Sequence, residues 1–225
     1  MYIKDDIHNY IKQIDTNSID CIYTNPPFGT TENKWDKPLD WKNLWIDIWR
    51  VLKPNGVAII HASIPFSYEL IKSQKPRYNY VWIKNQSTNF FHAKKQPLRQ
   101  FEEVYIFYKK QPTYNPQMIG NEKIPTGTAG KSTYYGSRGE KTNKGGYHIG
   151  KYPTNVLKFK RHIRGGKTIP DEMIEFFIKT YSNEGDTILD MTCHNNVVGD
   201  VVEKLNRNYI GVDINLSFDF SLEIV

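Results

Sequence analysis

Two cysteines in 225 residues, Cys21 and Cys193, are too few and too far apart for a disulfide framework or a thiolate metal cluster. Both read as reduced thiols. Long apolar runs are missing as well: the cleanest, Val57-Ala58-Ile59-Ile60, is strand-sized, which excludes a spanning helix. The opening Met1-Tyr-Ile-Lys-Asp-Asp lacks the basic-then-apolar layout of a secretory signal, so the cytoplasm is the expected compartment and no membrane partner is expected. The six histidines share no ligand spacing with one another or with the cysteines, and no metal site is expected.

Acidic residues are nearly absent from one segment. Between Gln111 and Lys167 there are eleven Lys and Arg against two Glu, a net of +9 in a chain whose total is +6. The same segment holds 10 of the 15 glycines and five tyrosines, Tyr114, Tyr134, Tyr135, Tyr147 and Tyr152. A flexible, cationic surface with rings for stacking suits a polyanion, with nucleic acid first among the candidates, although charge runs are often merely solvated. The rest of the chain is of ordinary globular make, with 39% hydrophobic and 24% charged residues overall. The expected organisation is one domain in two halves, 1–110 and 168–225, with 111–167 as an inserted basic region.

The first half reads as strand, loop, helix, strand. Ile19 to Thr24 is a β-rich run that must stop at Asn25-Pro26-Pro27-Phe28, where two prolines end ladder pairing. Asp40 can cap a helix with Trp41, Leu44, Trp45, Ile48 and Leu52 on one face, ended by Pro54-Asn55-Gly56 before a strand from Val57 to His61. The Trp41-Trp45-Trp49 series reads as core. Asn79–Lys84 and Glu103–Lys109 are two further β stretches, expected as an antiparallel edge.

The second half starts with Thr168-Ile-Pro-Asp171, a helix opening by its Thr cap and early Pro, followed by Ile174, Phe177, Ile178 and Tyr181 on one face. A strand Thr187–Asp190, a turn Met191–Asn196, a helix with Val198, Val201, Val202 and Leu205 inward, and a strand Tyr209–Asp213 complete a second βαβ unit. Asp213 lies 23 positions after Asp190. That is close to the roughly 20 expected of a carboxylate that grips a ribose in a Rossmann-like sheet. Gly127-Thr-Ala-Gly130-Lys131-Ser132 ends like a phosphate-binding loop, but Pro125 stands where its first glycine belongs.

The most specific signal is Asn25-Pro26-Pro27-Phe28 at a strand's carboxyl end. Methylating an exocyclic amine calls for acceptors for its two N–H groups, and the Asn25 side-chain oxygen and Pro26 carbonyl can each take one. The prolines, Pro26 and Pro27, fix the backbone so that these acceptors are preorganised, and Phe28 can stack on an extruded base. With this motif, Tyr152-Pro-Thr-Asn-Val-Leu-Lys158, Tyr181 to Asp190 and Asn206-Arg-Asn-Tyr-Ile-Gly-Val-Asp213 in this order, nearly the whole chain resembles the β-class amino-methylating DNA methyltransferases.

That resemblance implies a doubly wound α/β methyltransferase sheet, Rossmann-like and circularly permuted. It implies S-adenosylmethionine as cofactor, adenine N6 in double-stranded DNA as target, and a restriction-modification setting in a bacterial or virus-infected cell, where a homodimer and a cognate restriction endonuclease are conceivable partners. Cofactor contacts carry over to Asp6, Asp190, the turn residues Thr192, His194, Asn195 and Asn196, and Asp213, and also to Lys167 and Pro170, in place of the family's lysine-proline signature. Lys158, Lys160, Arg161 and Arg164 are the expected phosphate partners. The chain departs from the family in two respects: Gly165-Gly166-Lys167-Thr168-Ile169-Pro170 replaces the lysine-proline signature, and the cofactor turn Met191-Thr-Cys-His-Asn-Asn196 contains no glycine. Asn195 and Asn196 are expected to preserve it, since Asn tolerates left-handed backbone angles. The competing readings are a cytosine-N4, RNA or protein amine methyltransferase, and a non-catalytic DNA-binding relative with a decayed cofactor turn.

Overall fold

The computed structural model describes residues 1–126, 146–160 and 169–215. The chain divides into two compact units, Pro116–Thr154 and all the rest. In chain order the larger unit comprises β1 (Tyr2–Lys4), α1 (Ile7–Tyr10), β2 (Ile19–Thr24), α2 (Trp41–Val51), β3 (Leu52–Ala62), α3 (Phe66–Ser73), β4 (Tyr78–Thr88) and β5 (Arg99–Phe107). The smaller unit holds β6 (Ile119–Pro125) antiparallel to β7 (Tyr147–Lys151). The larger unit resumes with β8 (Val156–Leu157), α4 (Asp171–Tyr181), β9 (Thr187–Asp190), α5 (Val197–Lys204) and β10 (Asn208–Asp213).

The eight strands of the larger unit form one sheet in the order β1-β10-β9-β2-β3-β5-β4-β8. Every neighbouring pair is parallel except the two made by β5. The two antiparallel stretches read from the sequence do pair, but they do not form the edge. β5 lies inside, and the two residues of β8 cover the far side of β4. A two-residue strand carries no periodicity to read, which is why the sequence did not show it.

Alternation builds the two faces. Cys21 and Tyr23 of β2, with Val57 and Ile59 of β3, point toward α4 and α5, against Met173, Ile174, Phe177, Ile178 and Val202. Ile22, Ala58 and Ile60 point the other way, against Ile7, Trp41, Leu44, Trp45 and Ile48 of α1 and α2. Asp40 caps α2 as expected, accepting from the Asn43 amide. α2 stops at Val51, however, and Leu52 opens β3. Between the pairs Ile19↔Leu52 and Cys21↔Val57, β3 has three more residues than β2, so Pro54-Asn55-Gly56 is a bulge within a strand rather than a separate turn.

Candidate active site

The parallel strands bring distant parts of the chain to one edge. β2 and β9 are hydrogen-bonded neighbours, paired at Cys21↔Ile188 and Ile22↔Leu189. Their carboxyl ends therefore release Asn25 and the turn after Asp190 side by side. Just past the pairing, the hydroxyls of Thr24 and Thr192 meet at 2.9 Å. β10 and β1 follow on the other side of β9, with Lys4 opposite Asp213, so Asp6, Asp213, Asp190 and Asn25 stand at the ends of four adjacent strands.

The loop after β2 is held from within. Pro26 is buried, and Asn25, Pro27 and Phe28 are half-buried. The Phe28 ring stacks on Phe66 of α3, with centroids 5.3 Å apart and planes 13° from parallel. Asp36 closes the loop: its carboxylate accepts from the amides of Gly29 at 2.8 Å, Thr30 at 2.9 Å and Thr31 at 2.7 Å. Burial alone would raise the Asp36 pKa, but these donors outweigh it and hold the carboxyl below its usual range. Gly29 is obligatory. Its φ is +64°, and a Cβ there would lie 2.5 Å from Cγ of Pro38.

The turn after β9, Met191–Asn196, keeps a tight path without glycine. Asn196 takes φ 59° and His194 takes φ 35°, so the second left-handed residue is His194 and not Asn195. Asn196 stands at the N-terminus of α5 and donates from Nδ2 to the hydroxyl of Tyr2 at 2.7 Å and to Asp200 at 3.0 Å. A glycine is required one helical turn further on: at Gly199 a Cβ would fall 2.0 Å from Oδ1 of Asn196 and 2.6 Å from the Tyr209 ring. The turn is tied to β10 at both Cys193 and His194, whose amides donate to the Val212 carbonyl at 3.1 Å and to Oδ2 of Asp213 at 3.0 Å.

Asp190 is only 2% exposed. It accepts from the Thr192 amide at 3.1 Å, yet burial, reinforced by the Asp213 charge, pushes its pKa up to about 7. Asp213 accepts from the His194 and Asn215 amides, one on each oxygen, and each oxygen keeps a lone pair for a further donor. Asp6 caps α1, accepting from the His8 amide at 2.8 Å. Pro170 is buried at the N-terminus of α4, whose first turn carries Asp171 and Glu172. Lys158 and Lys160 are exposed on either side of Phe159, whose carbonyl accepts from Trp82 Nε1 at 2.9 Å. Arg161, Arg164 and Lys167 lie outside the described residues.

Sequence reasoning missed a buried polar row that crosses four strands. Tyr23 of β2 meets His61 Nε2 of β3 at 2.9 Å, His61 Nδ1 meets Glu102 of β5 at 2.9 Å, and Lys84 of β4 donates to the other Glu102 oxygen at 2.7 Å. An imidazole that donates from Nδ1 and accepts at Nε2 satisfies every member. Burial pushes the Glu102 carboxyl up, but the His61 hydrogen bond and the Lys84 charge prevail and hold it below its usual value. A single His in an apolar strand carries no signal of such a partner, because the other three members come from elsewhere in the chain.

These geometries agree with what the chain is similar to. An N6/N4 methyltransferase family model, described as DNA methylase, matches residues 19–218. The type II methyltransferase M.HpaI of Haemophilus parainfluenzae is 28% identical over 229 residues, covering 92% of this chain and 68% of that one. The DNA adenine methyltransferase YhdJ of Escherichia coli is 26% identical over 230 residues, covering 92% and 76%. Among solved structures, the M1.HpyAVI–SAM complex superposes with a TM-score of 0.60 at 16% identity, over 95% of this chain and 91% of that one, which shows the shared fold. With the family model spanning all but the chain's ends, the chain belongs to the amino-methylating DNA methylases of the N6/N4 family.

Proposed function

We propose that the chain transfers a methyl group from S-adenosylmethionine to the exocyclic N6 of adenine in double-stranded DNA, within a restriction-modification system. The observation that carries this reading is the adjacency of Asn25 and the turn after Asp190 on neighbouring parallel strands, bridged by Thr24 and Thr192. Donor and acceptor sites that adjoin in this way let the reacting atoms come within the roughly 3–3.5 Å that transfer needs. Adenine as target is supported by the resemblance of Asn25-Pro26-Pro27-Phe28 to the adenine-specific members and by the likeness to YhdJ.

The site fits the cofactor. Asp6, Asp190 and Asp213 place three carboxylates at the ends of three strands, matched to ribose hydroxyls and a cationic methionyl head, and His194 and Asn196 adopt the left-handed angles that glycine supplies elsewhere in the family. Asp213 would hold the ribose, Asp190 with Thr192 would face the methionyl part, and Asp6 and Pro170 would flank the adenine. When bound, S-adenosylmethionine supplies an electrophilic methyl on a sulfonium. Asn25 and the Pro26 carbonyl then accept the two N–H groups of the target amine and direct its lone pair away from the base ring. These bonds strengthen as the nitrogen becomes cationic, so they favour the transition state over the ground state. Phe28, half-buried on Phe66, offers a ring against which the extruded base stacks. Lys158 and Lys160, with Arg161 and Arg164, would take DNA phosphates, and the basic region 111–167 would clamp the duplex.

The test is direct. The protein is incubated with methyl-labelled cofactor and unmethylated mixed-sequence duplex, and the DNA is digested to nucleosides. Label in N6-methyldeoxyadenosine supports the reading; label in N4-methyldeoxycytidine moves the target to cytosine, and absence of label overturns the activity.

A further inference from the structure

The connection between β4 and β5 is a cationic, aromatic tip for which the catalytic reading has no use. From Asn85 to Phe101 there is no acidic residue, while Lys94, Lys95 and Arg99 are all present. Phe91 is wholly exposed and Phe90 is 65% exposed. Lys94 and Lys95 are exposed too, and among the described residues neither is paired with a carboxylate. Two bare phenylalanines at one tip cost solubility without adding to the core, so they call for a partner, and the ammonium groups beside them bear on what that partner is.

Register locates the tip. β5 runs antiparallel to β3 with Glu103 opposite Ala62, the last residue of β3, and β4 returns with Thr88 opposite Arg99. The tip therefore lies at the sheet edge where β2 and β9 deliver Asn25 and Asp190. Arg99 is four residues beyond Glu103, so the hairpin overhangs the end of β3 by about 13 Å at ~3.3 Å per residue. Arg99 also ties the overhang back to that end, donating to Ser63 Oγ at 3.4 Å.

We propose that this tip is a second DNA-contacting element, separate from the basic region 111–167, in which Phe90 and Phe91 stack on duplex bases uncovered when the target nucleotide is extruded and Lys94 and Lys95 take the flanking phosphates. This rests on the proposed function, since it presumes that duplex DNA is the substrate held at that edge. Charge complementarity and position favour DNA: the ammonium groups suit a polyanion, the rings suit base faces, and both stand at the sheet edge from which the Asn25 loop leaves β2. A base leaving the stack exposes two apolar faces to water, and a projecting ring beside the extrusion site can cover them.

The experiment compares wild type with the double variants Phe90→Ala/Phe91→Ala and Lys94→Gln/Lys95→Gln, whose side chains are exposed and leave the fold intact. Mixed-sequence duplex affinity is measured as a function of salt, together with the single-turnover methylation rate and S-adenosylmethionine affinity. The expected result for the aromatic pair is a loss of duplex affinity or of rate of roughly 10-fold or more. For the lysine pair the log–log salt slope should fall by about 0.9 for each phosphate no longer neutralised. Cofactor affinity stays at the wild-type value in both. A wild type that methylates DNA while both variants match it in affinity, slope and rate overturns the proposal and leaves the catalytic reading standing. A wild type that neither binds nor methylates DNA overturns both. Variants that methylate normally but lose association with anionic vesicles, or with a second copy of the chain, assign the tip to another partner and overturn the proposal.

Discussion

The Thr24 hydroxyl lies 2.9 Å from the Thr192 hydroxyl, although the two are 168 positions apart in the chain. One is the last residue of β2, immediately before Asn25. The other is the second residue after β9, within the glycine-free turn. This hydrogen bond sets the spacing between the loop assigned to the methyl acceptor and the turn assigned to the methyl donor.

If Asn25 acts mainly in the transition state, Asn25→Ala lowers the rate of the chemical step on the order of 10²-fold or more while DNA and cofactor affinities change far less. Asn25→Asp retains part of the rate, because a carboxylate still accepts the hydrogen bond. Single-turnover methyl transfer at saturating DNA and cofactor measures this, and equal rates for wild type and Asn25→Ala would sink the mechanism.

Asp213 holds the turn through the His194 amide, and the proposed function also gives it the ribose. Asp213→Ala should weaken S-adenosylmethionine binding by about 1.5–3 kcal/mol per missing hydrogen bond to the charged group. It also releases the His194 amide, so Asp213→Asn, which keeps acceptor oxygen on one side, should lose less. Calorimetric titration of the folded variants is the check; unchanged affinity in both removes Asp213 from the site.

The buried Asp190 carboxyl, with its pKa pushed up to about 7, gives a signed pH dependence. The folded state holds the proton more tightly than the unfolded chain, whose reference value is 3.8. This group's contribution to stability is therefore greatest below about 4 and is lost as pH rises to about 7. Asp190→Asn removes that loss. The variant should gain on the order of a few kcal/mol relative to wild type at pH 8 and nothing near pH 4. Urea unfolding at the two pH values decides it, and a wild-type advantage at pH 8 would contradict the assignment.

Asp36 carries the opposite sign. Its depressed pKa means its contribution is present above the unfolded value of 3.8 and disappears as pH falls through the folded one. Asp36→Ala leaves the amides of Gly29, Thr30 and Thr31 without their acceptor and should cost about 1–3 kcal/mol at pH 7. Since the same loop carries Phe28, the methylation rate should fall as well. A loss of stability that is equally large at pH 3 would show that the carboxylate is not its source.

Removing Lys158 and Lys160 together, as Gln, should reduce the log–log salt dependence of duplex binding by about 0.9 for each phosphate that goes unneutralised. Filter binding across a range of salt concentrations measures the slope, and an unchanged value would mean that these two ammonium groups are ordinary surface.

Both βαβ units were legible because their signals are local. The alternation of Cys21, Ile22 and Tyr23, the Asp40 cap and the apolar stripe of α4 each lie within a dozen residues. The Asn-Pro-Pro-Phe loop was legible for the same reason. What stayed hidden depends on partners far apart in sequence. β8 is too short to show a period, Leu52 reads equally well as the last helical or the first strand residue, and the partners of His61 lie on other strands. The turn misled differently: asparagine was the obvious left-handed residue at 195, but the backbone gave that angle to His194, whose amide is drawn to Asp213.

The row from Tyr23 through His61 and Glu102 to Lys84 makes the acceptor half of the sheet intolerant of sliding. Apolar cross-strand neighbours can trade places after a two-residue slip and still bury their area, but a slipped ladder here would strand a carboxylate and an ammonium in separate dry positions. Substitution of one member alone should accordingly do more harm than replacement of all four by apolar residues of matching volume. In descent, these positions are expected to change as a set or not at all.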